Sequence, residues 1–399
     1  MKNSRREFIK RSALATTGTM LIPGFLKALE SKVIAGDKKL VILQLSGGND
    51  GLNTIVPYRN DLYYQLRPQL GISPEKVLKV SDELGFHPAL ASLRSLYDDG
   101  YLAVLNNVGY PNPDRSHFRS MDIWTTASDA HEYLYTGWLG RYLDATCVDG
   151  SGAHKAIEID DMLSLALKGE RCKGMAMRNP KKLYDALHGN LFQKLAENGT
   201  VDHTDEPSVS YLYKTLAESV SSSGYIYSKS KIVKTRAEYP ETEFASQLKT
   251  IAQLIISGID TRVYYASLSG FDTHARQLFT HERHLGLYAN AVKAFVDDLE
   301  ENNAFDNVLI MTFSEFGRRV SQNAGEGTDH GTANNLFLIS KSLKQKGFIN
   351  ETPDLKKLDN GDLIHTVDFR SVYATILDQW LGADSEKILG SKFRSVGFI

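Results

Sequence analysis

The sequence is poor in the features that announce most activities. Neither sign of charge prevails: 46 Lys and Arg face 48 Asp and Glu, leaving a net charge of −2 over 399 residues. That balance removes the electrostatic case for a nucleic-acid partner, whose affinity rests on neutralising phosphates. Only two cysteines occur, Cys147 and Cys172. They can form one disulfide in an oxidising compartment, but they lack the close spacing of a zinc-thiolate site. There is no P-loop, no HExxH, no CxxC and no GxSxG elbow, so nucleotide binding, zincin chemistry and the usual serine-hydrolase turn have no motif behind them. No internal repeat is evident. The weakly apolar run from Ala13 to Phe25 is broken by Thr16, Thr17, Gly18 and Thr19. It falls short of the roughly 20 apolar residues a membrane span needs, so no stable transmembrane segment is expected.

What is present begins at the N-terminus. Ser4-Arg5-Arg6-Glu7-Phe8-Ile9-Lys10 matches the twin-arginine export signal, and Val33-Ile34-Ala35 offers a cleavage site after Ala35. Residues 1–35 are therefore expected to be a signal peptide. The translocase is the partner during export, and the mature protein is periplasmic or extracellular. The remaining chain, 36–399, is long enough for one large domain with a substantial core.

Short apolar runs alternate with amphipathic stretches, which predicts an α/β fold with a mainly parallel central sheet. Strands are expected at 39–45, 101–105, 262–268, 308–313 and 336–340, and helices at 118–126, 244–257, 281–301 and 368–381. The stretch near 150–240, rich in Lys, Ser and Tyr, reads as a helical insertion or cap. His281 and His284 share a helix face and read as solvated.

Ligands of open α/β sheets bind beyond the carboxyl ends of the strands. Polar residues collect there. Asp50 follows the first strand in Ser46-Gly47-Gly48-Asn49-Asp50. Asp272 and His274 follow the strand at 262–268. Ser314 and Glu315 follow the strand at 308–313, ahead of Arg318 and the loop Gly327-Thr328-Asp329-His330-Gly331. Each has a local alternative: Glu315 can cap a helix or pair with Arg318, Asp329 can serve an Asx-turn, and His330 can be a satisfied histidine. Ser116, where a helix begins, is either a simple cap or a nucleophile in the field of the helix dipole. If the strands are neighbours, four carboxylates converge. Two charges about 5 Å apart repel by roughly 3 kcal/mol at an effective dielectric of 20. Shared protons, arginines such as Arg318, or metal ions must then neutralise them. Mixed Asp/Glu/His sets suit zinc, manganese or iron.

The combination GGNDGLN, RSHF, SGFDTHARQ, SEFGRR and GTDHGTA behind a twin-arginine signal resembles the bacterial domain-of-unknown-function family 1501, across essentially the whole mature chain. That family is placed with the alkaline phosphatase and sulfatase superfamily. The resemblance implies an alkaline phosphatase-like α/β/α sandwich with one or two divalent metals (Zn, Mn, Mg or Ca). Asp50, Asp272, His274, Glu315, Asp329 and His330 are then the metal ligands. Ser116 is the nucleophile, His117 an alternative ligand or catalytic group, and Arg318 or Arg115 holds anionic oxygens. The expected function is hydrolysis of phosphate or sulfate esters, on small-molecule or polymer-linked anionic substrates. Two rivals stay open: a non-catalytic envelope protein keeping the fold, favoured by the missing histidine after Glu315, and a metal-independent hydrolase using Ser116.

Overall fold

Side chains of the first strand, β1 (Lys39–Ser46), divide between two cores. Val41, Leu43 and Leu45 enter one and Leu40 and Ile42 the other. Period-two alternation with both faces covered is why this strand reads as a continuous apolar run. Fully burying each such side chain contributes on the order of 2 kcal/mol.

The computed structural model describes residues 38–147, 152–189, 192, 194, 207–235 and 237–399. The expected signal peptide, residues 1–35, lies outside the described residues. Among the described residues, no helix is long and apolar enough to cross a membrane.

The sheet comprises β1, β2 (Leu102–Gly109), β3 (Ala156–Glu158), β4 (Met175–Ala176), β5 (Val263–Ser269), β6 (Val308–Phe313), β7 (Asn334–Ile339), β8 (Gly347–Phe348) and β9 (Val367–Asp368). Their order is β8-β2-β7-β6-β1-β5-β3-β4, with β9 also pairing with β2. β1 lies between β6 and β5, parallel to both. β7 is antiparallel to its two neighbours, and the other pairings are parallel. The expected mixed α/β architecture with a mainly parallel sheet is thus present. The three strands that carry Asp50, Asp272 and Glu315 are adjacent, with their carboxyl ends on one edge.

Helices cover both faces. α1 (Ala91–Asp98), α6 (Glu243–Ile256) and α7 (Gln277–Glu301) supply Leu93, Leu248, Ile251, Tyr288 and Phe295 to one core. α2 (His117–Thr126), α3 (Trp138–Thr146) and α8 (Phe369–Thr375) supply Ile123, Trp124, Leu139, Leu143 and Tyr373 to the other. The stretch near 150–240 holds the helices α4 (Pro180–Leu187) and α5 (Pro207–Ser230), but it also contributes β3 and β4 to the sheet. Strands of two and three residues are too short for a periodicity signal. Cys147 and Cys172 are in side-chain hydrogen-bond contact.

Candidate metal centre

Three loops meet beyond the adjacent strand ends, and one guanidinium fastens them. Arg318 is 2% exposed. It donates to the carbonyls of Gly48 at 2.6 Å, Thr328 at 2.9 Å and Phe271 at 3.0 Å, to the carbonyl of Gly47, and to Asp272 Oδ1 at 2.7 Å. Gly47 closes the same knot. Its φ of +118° and its close approach exclude a side chain, because a Cβ would collide with the Asp272 backbone. Its N–H donates to Glu315 Oε1 at 2.8 Å.

Asp272 Oδ1 is the focus of three imidazoles. The Nε2 atoms of His274, His330 and His117 lie 3.0, 3.2 and 3.6 Å from it, and those of His274 and His330 are 2.9 Å apart. Each ring is held by its other nitrogen. His330 Nδ1 is 2.7 Å from the Arg115 carbonyl. His117 Nδ1 is 2.8 Å from Glu315 Oε1, and His274 Nδ1 is 3.3 Å from Asp329 Oδ1. A carbonyl or carboxylate only accepts, so each Nδ1 carries the proton. In the neutral rings all three Nε2 lone pairs therefore face one carboxylate oxygen. Phe316 packs on the His117 and His330 rings, with centroids 4.8 and 4.7 Å away.

The electrostatics follow from these contacts. Burial pushes the Asp272 carboxyl up, but the hydrogen bond and charge of Arg318 act against it, and the carboxyl is brought down to about 2. The Glu315 hydrogen bond raises His117 above the ordinary histidine value, whereas burial lowers His330. Asp329 is lowered, first by its bond from Asn323.

This donor set fits a divalent cation. His117, Asp272 and His330 each present a ligand atom within 4.8 Å of the others. His117 Nε2 is buried with no hydrogen-bond partner, an orphaned lone pair that an ion would satisfy. Carboxylate and carbonyl partners behind metal-binding histidines are the usual outer support of such sites.

The structure changes several expected roles. Asp50 is not in the cluster: it is 1% exposed, pairs with Arg67 at 2.6 Å and accepts from Gln277. Burial raises its pKa, and the charge and hydrogen bond of Arg67 overcome this to hold it below the ordinary value. Glu315 and Asp329 stand one step back, each holding a histidine. Arg318 is enclosed and committed to the loops, so it reaches no substrate oxygen. The Arg115 side chain is tied to Asp362. Four converging carboxylates are therefore not what the strand ends create, because each acid has its own cation or imidazole. His281, expected on a solvated face, is 1% exposed and bonds Asn49 Oδ1 at 2.9 Å. Ser116 caps α2 without a side-chain capping bond and is exposed.

Sequence reasoning missed Arg67, Gln277 and Glu158. Arg67 lies in no motif, Gln277 ends the SGFDTHARQ run with no role read for it, and their partner Asp50 is 17 and 227 residues away. Glu158 ends β3, is 5% exposed and accepts from Ser164 N at 2.6 Å. Burial pushes its pKa up to about 7.

A cleft of about 370 Å³ adjoins the cluster, reached past Glu315 and Phe316.

No curated protein sequence matches the chain. Among solved structures it is similar to the C-terminal periplasmic domain of EcEptC from Escherichia coli, in complex with Zn, at 11% identity and a TM-score of 0.37, covering 76% of this chain and 73% of that one. It is similar to the lipoteichoic acid synthase LtaP from Listeria monocytogenes at 10% identity and a TM-score of 0.35, covering 79% and 68%. The PsFucS1 sulfatase from Pseudoalteromonas sp. matches at 12% identity and a TM-score of 0.36, covering 94% and 71%. The family model described as "Protein of unknown function (DUF1501)" matches residues 37–393. The order of loops that builds this cluster, from the glycine turn after β1 to Asp329-His330, falls wholly within that match, and the chain belongs to this family.

Proposed function

We propose that the protein is an exported metal-dependent hydrolase of phosphate or sulfate esters. The observation that carries the reading is the convergence of three Nε2 lone pairs, each fixed from behind, on the single oxygen of Asp272. His117, Asp272 and His330 hold the ion, with His274 beside them. Three imidazoles and a carboxylate suit zinc best, with manganese or iron next. When bound, such an ion lowers the pKa of a nucleophile and offsets charge on the transferred group.

Ser116 is the proposed nucleophile. It directly precedes His117, its hydroxyl is not spent on capping, and it is open to solvent. The first helical bond of α2 runs from Ser120 N to the Ser116 carbonyl. The first-turn amides are thus free of helical partners and suited to hold the anionic oxygens of an ester. Phe316 shields one side of the histidines from water.

The test is native-metal analysis of exported protein, with turnover of phosphate monoesters, phosphate diesters and sulfate esters. Ser116→Ala keeps its metal and loses turnover. Full activity in that variant removes the serine from the mechanism. A non-catalytic binding role gains from one feature: His274 Nε2 lies 3.0 Å from Asp272 Oδ1, and four protein ligands close a tetrahedral shell. Protein that holds metal through all three histidines and cleaves no ester would establish that role instead. Export is proposed on the SRREFIK motif, and Arg5→Lys with Arg6→Lys should trap the precursor inside the cell.

A further inference from the structure

The neutral rings of His274 and His330 present their Nε2 lone pairs to one another at 2.9 Å. Two acceptors at that distance repel, and neither ring has a proton to place between them. The loops that carry the rings must therefore be held together before any ion arrives. Arg318 ties these loops through the carbonyls of Phe271 and Thr328. A second residue ties them through side chains. Gln277 opens α7 and is fully buried. Its Oε1 accepts from the Thr328 hydroxyl at 2.6 Å and from the Thr273 hydroxyl at 3.1 Å. Thr273 lies between Asp272 and His274, and Thr328 stands just ahead of Asp329-His330. The Gln277 backbone N–H donates to the Glu326 carbonyl at 2.9 Å, and Thr328 N donates to the Thr273 carbonyl at 3.2 Å.

We propose that Gln277 is a positioning residue, which sets the spacing of His274 and His330 by holding the threonines beside them. Only an amide performs this task. The carboxylate of Asp50, paired with Arg67, accepts and does not donate, so the Gln277 NH2 group faces it. The amide oxygen is thereby turned toward the two hydroxyls. A glutamate at 277 would set a second carboxylate against Asp50. A methionine would fill the space and supply neither donor nor acceptor. The sealed acid thus fixes the amide, and the amide fixes the two histidine loops. Asn323 makes a further tie, from its Nδ2 to the His274 carbonyl and to Asp329 Oδ1, each at 3.0 Å. Those bonds are exposed, where water can take their place, whereas the bonds of Gln277 are buried and have no substitute.

The effect on an ion rests on the metal reading, whereas the spacing of the rings does not, so the test has two arms. In the first, equilibrium dialysis against zinc and the visible spectrum of cobalt(II)-loaded protein compare Thr328→Val with Thr328→Ser. Valine keeps the shape of threonine and removes the hydroxyl. Serine keeps the hydroxyl and leaves a methyl-sized gap, so packing alone makes serine the more damaging change. Positioning reverses that order. Thr328→Val loses zinc affinity by at least about tenfold, as the outer partners of metal ligands do, and shifts the cobalt bands. Thr328→Ser keeps both. Gln277→Met behaves like Thr328→Val, and combining the two adds little, because they break one interaction. If Gln277→Met fails to fold, the threonine pair decides. In the second arm, long-range proton–nitrogen NMR follows the imidazoles of metal-free protein. Thr328→Val moves the His274 and His330 signals, Thr328→Ser does not, and His188, stacked on Tyr184 in the insertion, stays in place in both. Equal zinc affinity in the valine and serine variants, or unmoved ring signals, overturns the proposal. Protein that binds no zinc removes the metal reading, and the ring signals alone then decide whether Gln277 sets the spacing.

Discussion

Asp50 and Asp272 occupy equivalent places, each just beyond the carboxyl end of a parallel strand, on neighbours β1 and β5. They have opposite fates. Asp50 is sealed, with a guanidinium and an amide supplying protons and a one-turn helix capped by its carboxylate. Asp272 has a side chain 49% exposed, and its partners beyond Arg318 are imidazole nitrogens whose protons sit on the far side. A carboxylate given fixed donors is structural, and one given lone pairs needs a cation. The sequence motif around an acid does not decide between these outcomes; the protons of its neighbours do.

The comparison breaks most visibly at Asp50. Asp50→Ala leaves Arg67 charged and buried without its carboxylate, which should cost about 3–5 kcal/mol, read as a lower denaturant midpoint. A loss under about 1 kcal/mol would mean that water reaches Arg67 and that the site is not sealed.

Asp272→Asn should behave in the opposite way. Asparagine keeps an oxygen for the buried Arg318, which predicts a smaller change in the stability of metal-free protein than at Asp50, while metal affinity falls at least about 100-fold because a first ligand is lost. Equilibrium dialysis against zinc measures it. Glu315→Gln should sit between the two. It removes the carboxylate behind His117 but keeps an oxygen, and an outer partner of this kind is worth roughly 10–100-fold in metal affinity.

Glu158 sharpens the contrast as a third acid at a strand end, governed by burial, with only the charge of Lys168 as a cation acting on it. Its folded value of about 7 exceeds the ordinary 4.5, so the folded chain holds a proton that the unfolded chain releases. Stability should fall as pH rises from about 4.5 to about 7 and level off above. Glu158→Gln should flatten that decline and raise stability above pH 7 by on the order of 1–3 kcal/mol. Urea unfolding at pH 5 and pH 8 tests the sign.

Much of this was legible in the sequence. Apolar runs too short for helices placed β1, β5 and β6 within a residue of their ends, because buried parallel strands show no polar alternation. Asp272, His274 and His330 stood out through glycines and strand ends, and the structure brings them together. The division of labour did not stand out. Arg318 reads as a partner for Glu315 or a holder of anionic oxygens, and only the arrival of carbonyls from residues 47, 48 and 271 makes it a clamp. His117 reads as an alternative ligand or catalytic group through the resemblance alone, and it is Glu315, 198 positions later, that turns its ring. Pairings over such separations are set by the order of strands in the sheet, which local pattern does not encode. β3 and β4 were missed because hydrogen bonding, rather than composition, defines strands that short.

The Arg318 clamp has a consequence for how the chain matures. It ties residue 318 to positions 270 and 271 residues earlier, and the histidines it helps to orient come from loops as far apart as 117 and 330. Contacts of such high sequence order form only after several loops have closed, so they come late on a folding route. A half-folded chain, whether truncated or still emerging during synthesis, holds at most one or two of these ligands and has little grip on an ion. On the proposed metal reading, the completed domain would gain stability by mass action from the ion it captures. Metal occupancy would then act as a certificate of completed folding, recording that the last-formed contacts of the domain are in place.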